Sequence, residues 1–254
     1  MQMNIYDISE ITNGQYKVRI NLHELGMSSK EISTFKERYG EIRREDNEFK
    51  KICSLDNHIL KYRSESIFPP SDKIDPKKKK VMIIFGNPAI NSVAKGMFFY
   101  SRQDGHRHQL WGKLEKAKLL SEEIRKNVDN REIEANRIRD AIIEGSTSQD
   151  YVLGLTTFYS IPTPVKPPKK EDSAKWEYGD VDGVEILFRS VLPKLQQEEI
   201  DRLEDYDFGR GAIWICTQKS SHEYVKKIHN SSIVKYWPMR NSGGDGLRKI
   251  LGEF

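Results

Sequence analysis

Hydrophobic residues concentrate in four short runs separated by polar, helix-like segments. The runs are rich in β-branched and aromatic residues and lack clean apolar–polar alternation, which is typical of strands buried on both faces of a parallel sheet. They are residues 81–85 (VMIIF), 151–156 (YVLGLT), 212–216 (AIWIC) and 233–237 (IVKYW). The pattern predicts a central sheet of four mainly parallel strands.

Helical periodicity fills the segments between and after these strands. Apolar residues recur at spacings of three and four over residues 107–120, 132–143, 184–195, 221–228 and 245–251. Strands that alternate with helices connect by right-handed crossovers, which place helices on the faces of the sheet. We therefore predict an α/β fold, a three-layer αβα sandwich, over residues 66–254.

The first 65 residues follow a different pattern. Residues 16–23 (YKVRINLH) alternate apolar and polar side chains, as a short half-buried strand does. Ser28-Ser29-Lys30-Glu31 has the form of a capping box, and the helical spacing that follows predicts a long amphipathic helix over roughly 29–53, carried by Ile32, Phe35, Tyr39 and Ile42. We interpret residues 1–65 as an N-terminal extension whose helix offers a surface to a protein partner.

Composition and charge narrow the class of protein. A chain of 254 residues with 37% hydrophobic content can bury one full core plus an appendage. The net charge of +4 equals the excess of seven Lys/Arg over three Asp/Glu in residues 219–254. Such a modest basic end suits contact with phosphate, and it equally suits a solvated helix face.

Cysteine usage and the absence of long apolar runs predict the compartment. Cys53 and Cys216 lie far apart, so they form neither a disulfide framework nor a clustered metal site, and we expect buried thiols in a reducing compartment. The first residues lack a signal-peptide core, and no run approaches the roughly 18 apolar residues of a membrane span. We predict a soluble, cytoplasmic protein without membrane contact.

Ligands of open parallel sheets bind beyond the carboxyl ends of the strands. The turns there are rich in amides, hydroxyls and aromatics and poor in carboxylates, and they read GNPAINS (86–92), TFYSIPTP (157–164), TQKS (217–220) and PMRNSGG (238–244). This disfavours paired-carboxylate hydrolases, metal sites and Ser-His-Asp triads. His106 and His108 lack a third metal ligand, so we interpret them as facing solvent or phosphate. We expect a site that hydrogen-bonds and stacks on a flat polar ring, without a cofactor.

The turn after the first parallel strand carries the most specific motif. Asn87-Pro88 is followed by Ser92, Gly96 and Phe99 at offsets of five, nine and twelve from Asn87, and later by Trp111. This resembles the first active-site motif of the uracil-DNA glycosylase superfamily and is most similar to its mismatch-specific uracil/thymine branch. Residues 154–157 (GLTT) and 162–164 (PTP) resemble its second-strand segment, and the loop from Pro238 resembles its DNA-inserting loop. The resemblance covers about residues 66–254.

The resemblance implies a DNA glycosylase that flips a deaminated or mismatched base, such as uracil or hypoxanthine, out of the duplex and hydrolyses its N-glycosidic bond. It places Asn87 where the family orients the attacking water, and Phe99 where a ring stacks on the base. The implied base-binding residues are Gly86, Pro88, Ser92, Phe99 and Thr157. The implied DNA contacts are Met239, Arg240, Asn241 and Ser242, to which the extended basic segment 166–170 adds Lys166. Since adjacent residues of an extended segment point to opposite sides, only one of Phe98 and Phe99 can face the base.

Two other functions stay open from the sequence. One is a catalytically inactive nucleic-acid-binding or assembly protein on the same fold, because residues 239–242 replace the family's His-Pro-Ser or Asn-Pro-Ser triplet and the N-terminal helix lies outside the resemblance. The other is an enzyme that acts on free nucleosides or nucleotides. The sequence contains no glycine-rich loop with the spacing of a P-loop or a Rossmann motif, which would have supported this function.

Overall fold

The protein is a mixed α/β protein. A computed structural model describes residues 6–10, 14–45, 47–99, 108–163, 180–229 and 233–252. These residues form two four-stranded sheets, one parallel and one antiparallel, together with helices. No helix among them is long and apolar enough to cross a membrane.

The parallel sheet confirms the four strands predicted from the apolar runs. Its strands are β5 (Lys79–Phe85), β6 (Tyr151–Thr157), β7 (Ile213–Cys216) and β8 (Val234–Tyr236), in the order β6-β5-β7-β8. All three pairings are parallel. The central strand β5 is buried from Val81 to Phe85, which explains why its sequence does not alternate.

Helices lie between and after these strands. They are α4 (Ile90–Lys95), α5 (Gln109–Lys116), α6 (Glu122–Arg125), α7 (Arg131–Ile143), α8 (Asp180–Leu187), α9 (Leu192–Asp205), α10 (Lys219–Ile228) and α11 (Gly244–Gly252). The helix predicted over 184–195 is wrong, because a 3₁₀ turn at Arg189–Val191 separates α8 from α9. Pro193 lies in the first turn of α9, where a helix tolerates the missing N–H.

The second sheet is antiparallel and was largely missed by the sequence patterns. Its strands are β1 (Tyr6–Glu10), β2 (Gln15–Asn21), β3 (Cys53–Asp56) and β4 (Ile59–Glu65), in the order β1-β2-β4-β3. The predicted strand over 16–23 corresponds to β2, and its last residues instead enter the short helix α1 (Leu22–Leu25).

The predicted amphipathic helix is shorter than expected. Helix α2 (Ser29–Glu45) begins at the predicted capping box, in which the Ser28 N–H donates to Glu31 Oε2 at 2.7 Å and the Glu31 N–H donates to Ser28 Oγ at 3.3 Å. Helix α3 (Asn47–Ile52) follows, and strand β3 begins at Cys53, so the prediction of one helix to residue 53 is wrong. Phe35 and Tyr39 are buried, as the spacing predicts.

The chain forms two compact units, and neither is one continuous segment. The first contains the described residues up to Glu65 with Asn87–Gly96 and Tyr159–Glu199. The second contains Ser66–Gly86, the described residues of 97–158 and those from Ile200 onward. The division into domains at residue 65 stays a prediction.

Each unit has its own core. In the first, the Phe35 ring packs on Tyr39 and Phe188, with ring centroids 5.5 and 5.2 Å apart, and Tyr39 packs on Phe49 at 5.1 Å. In the second, a cluster of buried residues from β5, β6 and β7 packs against α5, α7 and α11. Trp111 and Phe98 belong to that second cluster.

Candidate functional site

The parallel strands end at one edge of their sheet. Phe85 and Thr157, the last residues of β5 and β6, stand side by side in the register. Thr217, directly after β7, donates from its N–H and its hydroxyl to the Ile84 carbonyl oxygen at 2.9 and 3.2 Å. Three of the four polar turns singled out in the sequence therefore begin at neighbouring strand ends.

Asn87 is tied to the segment that follows β6. Its Nδ2 donates to Thr163 Oγ1 at 2.5 Å, and the Thr163 N–H donates to the Pro88 carbonyl oxygen at 3.4 Å. Ala89 and Thr163 also form a parallel bridge. Because the amide nitrogen of half-buried Asn87 is used as a donor, its Oδ1 is the atom available to accept a hydrogen bond from a ligand or a water.

The buried carboxylate of Glu199 accepts hydrogen bonds from the segment that contains Thr163. Glu199 in α9 is fully buried, and its Oε1 accepts from the Ser160 N–H at 2.7 Å, from Ser160 Oγ at 2.8 Å and from the Tyr6 hydroxyl at 3.2 Å. Since the Ser160 hydroxyl donates to Glu199, the Tyr62 hydroxyl 2.7 Å away donates to Ser160 Oγ. A buried charge with several donors is the arrangement that offsets its desolvation.

The hydroxyl of Tyr159, the residue before Ser160, is also held by hydrogen bonds. Gln196 Nε2 donates to the buried Tyr159 hydroxyl at 2.9 Å, and that hydroxyl donates to Glu185 Oε1 at 3.2 Å. Burial raises the pKa of Tyr159 above its usual value, with Glu185 adding to the effect. Tyr159 therefore acts as a neutral hydrogen-bond partner rather than a base.

Pro88 and Ser92 are both buried. Ser92 lies in α4, which ends at Gly96 in the left-handed conformation with φ 73°. The Gly96 N–H bonds to the carbonyl oxygens of Ser92 and Val93. The glycine of the motif is thus required as a helix C-cap, whatever else the segment does.

Phe99 has unusual backbone and packing. It has φ +48°, which a residue with a β-carbon adopts only at a cost of roughly 1 to 2 kcal/mol. Its half-buried ring packs on His108 with centroids 4.2 Å apart and on Phe85 at 4.8 Å. Phe98 is buried in the core. The predicted alternation of the two rings along an extended segment is wrong, because both residues lie in a turn and Phe99 is left-handed.

Gly86 and Thr157 are buried at the strand ends. The Thr157 hydroxyl has no hydrogen-bond partner among the described residues. Its carbonyl oxygen accepts from Arg202 Nη2 at 2.6 Å, and the same nitrogen donates to the Phe158 carbonyl oxygen at 3.0 Å. Arg202 thus fixes the carboxyl end of β6.

The sequence identified the turn 157–164 but gave Ser160 and Thr163 no individual role, and it missed Glu199 and Arg202. A signal for the last two is present in α9, where buried polar residues recur every third position beside its apolar stripe, namely Gln196, Glu199 and Arg202. Charged residues are seldom fully buried unless they are paired. This spacing therefore predicts that the polar face of α9 hydrogen-bonds to other buried groups.

The predicted DNA-inserting loop forms a tight turn. The N–H groups of Asn241 and Ser242 both donate to the Pro238 carbonyl oxygen, at 2.9 and 2.8 Å. Met239 is half-buried against the core of the second unit, and its carbonyl oxygen accepts from Lys113 Nζ. Arg240 and Asn241 are exposed. Lys166 lies outside the described residues.

Metal-binding geometry is missing from the part of the chain that the structure describes, where no three His, Cys, Asp or Glu side chains cluster. His108 accepts from the Leu110 N–H at 3.2 Å and caps α5, whereas His106 lies outside the described residues.

Cys53 and Cys216 are buried and free, as expected, and burial raises the pKa of the Cys216 thiol to about 12.

The predicted site residues are divided between the two compact units. Asn87, Pro88 and Ser92 belong to the first unit, and the second holds Gly86, Phe99, Thr157, Met239, Arg240, Asn241 and Ser242.

Comparison of the chain with protein-family models, curated proteins and solved structures found no match. Any function must therefore follow from the residues and geometry described above.

Proposed function

We propose that the protein is a monofunctional DNA glycosylase with the three-layer αβα fold of the uracil-DNA glycosylase superfamily. It hydrolyses the N-glycosidic bond of a deaminated or mismatched base in DNA. The observation that carries the proposal is the hydrogen bond from Asn87 to Thr163, in the turn that follows the central strand β5.

The geometry of Asn87 suits the orientation of a water molecule. With Nδ2 engaged by Thr163, Oδ1 accepts a hydrogen bond from water and thereby directs a lone pair of the water oxygen at C1′ of the sugar. An amide oxygen does not take up a proton at neutral pH. The C1′–N bond must therefore break largely by departure of the base with the electron pair, and water adds to the sugar cation, releasing a proton to solvent.

The surrounding network serves the same reaction by fixing positions. Glu199, Ser160 and Tyr62 anchor the segment that carries Thr163, and Thr163 fixes the rotamer of Asn87. Preorganised groups of this kind contribute to catalysis because they need no reorganisation when charge develops. Without a strong base, the rate should be low, as for a repair enzyme that turns over few lesions.

Two features of Phe99 and Thr157 support base recognition. The strained backbone of Phe99 is the kind of outlier that clusters at functional positions. The buried hydroxyl of Thr157 lacks a partner among the described residues, and such groups call for an explanation in a ligand or an ordered water. A flipped base is a ligand that offers both a ring face and polar edge atoms.

The test is release of a base from synthetic DNA. Oligonucleotides that carry uracil, hypoxanthine, xanthine or a G·T mismatch are incubated with the protein, treated with alkali and examined for strand scission. We expect scission with at least one lesion and a single-turnover rate about 100-fold lower for Asn87→Ala. Asn91→Ala, an exposed residue of the same type in α4, is the matched control and should keep the rate. Absence of scission with every lesion would overturn the proposal.

A catalytically inactive nucleic-acid-binding or assembly protein is the second candidate. The packing of Phe99 against His108 and Phe85 favours it, since this ring is already in contact with protein side chains. This candidate expects binding that depends steeply on salt and is indifferent to lesions, with no base released.

A further inference from the structure

Four cations cluster on one face of the antiparallel sheet. Lys17 and Arg19 alternate along β2 with buried Tyr16, Val18 and Ile20, and Lys61 and Arg63 alternate along β4 with buried Leu60 and Tyr62. Because successive side chains of a strand point to opposite faces, the four cations share the face that is turned away from those buried side chains. Lys17, Arg19 and Lys61 are exposed, and Arg63 is half-buried.

The register places like charges directly opposite one another. Lys17 pairs with Arg63 and Arg19 pairs with Lys61 across the β2–β4 ladder. Like charges in directly opposed positions of an antiparallel pair destabilise the sheet. None of the four makes an ion pair within 4.0 Å with a described residue. The two opposed pairs therefore oppose the pairing of β2 with β4.

Acidic groups nearby offset only part of this charge. Asp7 on β1 stands opposite Arg19, and Glu48 on α3 interacts electrostatically with Arg63 and Lys95. Glu65, two residues beyond Arg63 on β4, is buried, and burial raises its pKa well above the usual value, which disfavours its charged form. Lys51 on α3 and Lys95 on α4 are further cations beside the sheet.

We propose that this basic sheet face, defined by Lys17, Arg19, Lys61 and Arg63, binds the phosphate backbone of a nucleic-acid strand. Cations on one strand recur about every 6.6 Å, and the two strands lie about 4.8 Å apart, which gives a two-by-two array that can follow successive phosphates. Protein interfaces are depleted of charged residues at their centre, whereas nucleic-acid interfaces are strongly positive. An acidic protein is therefore the less suitable occupant. The assignment goes beyond base excision and holds whether or not a glycosidic bond is cleaved.

The test reverses two charges on the face. Lys17→Glu combined with Lys61→Glu places a carboxylate opposite Arg63 and another opposite Arg19, so that both like-charge pairs become opposite-charge pairs. Binding of a fluorescein-labelled mixed-sequence oligonucleotide, single- or double-stranded, is followed by anisotropy over a series of KCl concentrations. We expect an affinity loss of at least about 10-fold and a salt slope smaller by about 2 to 3.

Two controls separate binding from folding and from general charge. The urea midpoint of the double variant should not fall, because the sheet gains attractive pairs. Lys30→Glu combined with Lys36→Glu makes the same charge change at exposed positions of α2 and should leave the salt slope nearly unchanged.

An equal loss in both variants, or no loss in the sheet variant, would overturn the assignment. So would a wild-type protein that binds a polyglutamate peptide and no oligonucleotide. Base release, measured on the same samples, reports separately on the glycosylase proposal.

Discussion

At the scale of single residues, the side chains with the clearest consequences are Asn87 and Glu65. Asn87 has its amide nitrogen committed to Thr163, which is 3% exposed and so holds a fixed position. Glu65 has the opposite character, since neither of its carboxylate oxygens has a hydrogen-bond partner among the described residues. Asn87 is thus fixed by a hydrogen bond, whereas burial of the Glu65 carboxyl group without a partner destabilises the folded state.

Removal of the hydroxyl of Thr163 tests the positioning of Asn87. Thr163→Val keeps the shape but removes the acceptor for Asn87 Nδ2, so the amide can rotate and misplace the water. We expect the single-turnover rate of base release to fall about 10-fold or more, while the affinity for lesion-containing DNA changes little. Thr163→Ser should retain the rate, and the melting temperatures of both variants should show that they fold. An unchanged rate in Thr163→Val would exclude a role for this bond.

Glu65 predicts a specific dependence of stability on pH. Its pKa is raised in the folded state, so the folded protein binds its proton more tightly than the unfolded chain does. The stability from this group is fully present below the unfolded pKa, near 4.3, and is lost as pH rises through the folded pKa, at about 1.4 kcal/mol per pH unit in that window. Glu65→Gln removes this loss and should therefore gain stability over wild type as pH increases.

Urea unfolding at several pH values between 4 and 9 measures the effect. The difference in free energy of unfolding between Glu65→Gln and wild type should widen with pH. Glu37→Gln, at an exposed position of α2, should give a nearly constant difference. Parallel curves for wild type and Glu65→Gln would show that the carboxyl group is paired or hydrated in solution.

At the scale of secondary-structure elements, close packing decides which residues are allowed. Helix α11 packs on α5 at Gly244, where an added β-carbon would lie 2.5 Å from the Lys113 carbonyl oxygen and 2.5 Å from Lys116 Cβ. Arg125 on α6 joins neighbouring helices, since it contacts Glu115 of α5 at 2.8 Å and Glu134 of α7 at 2.7 Å. Burial nevertheless raises the pKa of Glu115, so desolvation outweighs the attraction of Arg125 there.

Gly244 and Gly252 form a matched pair for a packing test, since both lie in α11. We expect Gly244→Ala to lower the free energy of unfolding by about 1 to 3 kcal/mol, because the backbone of α5 has to shift. Gly252→Ala has open space around its β-carbon and should be neutral or slightly stabilising. Urea unfolding of the two variants provides the comparison, and equal effects would mean that the α5–α11 contact is loose.

At the scale of the whole molecule, the order of segments along the chain differs from their grouping in space. The chain passes between the two compact units after Glu65, Gly86, Gly96, Phe158 and Glu199. Neither unit can therefore be cut out as one continuous piece. Cooperative unfolding of both units is the expected behaviour of such a chain.

The two buried thiols report on this cooperativity. Cys53 lies in the first unit and Cys216 in the second, and both are buried. In single-thiol variants made by Cys53→Ser or Cys216→Ser, reaction with a thiol-specific disulfide reagent should be slow in the native protein. We expect both thiols to become reactive at the same urea concentration. Two separate midpoints would show that the units unfold independently.

Local patterns along the chain determined the elements of the parallel sheet. The runs at 81–85, 151–156 and 212–216 are almost entirely apolar because their strands are buried on both faces, and that signal depends on no distant residue. The run at 233–237 contains Lys235, and its strand β8 is only partly buried. The capping box at Ser28 and Glu31 is equally local. The sequence also identified the Asn87 turn as the most specific motif of the chain.

The tertiary structure alone decided which segments meet. Strands β3 and β4 pair with each other and β4 pairs with β2 from a distant part of the sequence, and such pairing is not visible in local periodicity. The partners of Asn87 and Ser160, Thr163 and Glu199, come from distant positions for the same reason. Short-range patterns fix burial and periodicity, whereas hydrogen bonds between remote side chains and like charges opposed across strands arise only when the chain has folded.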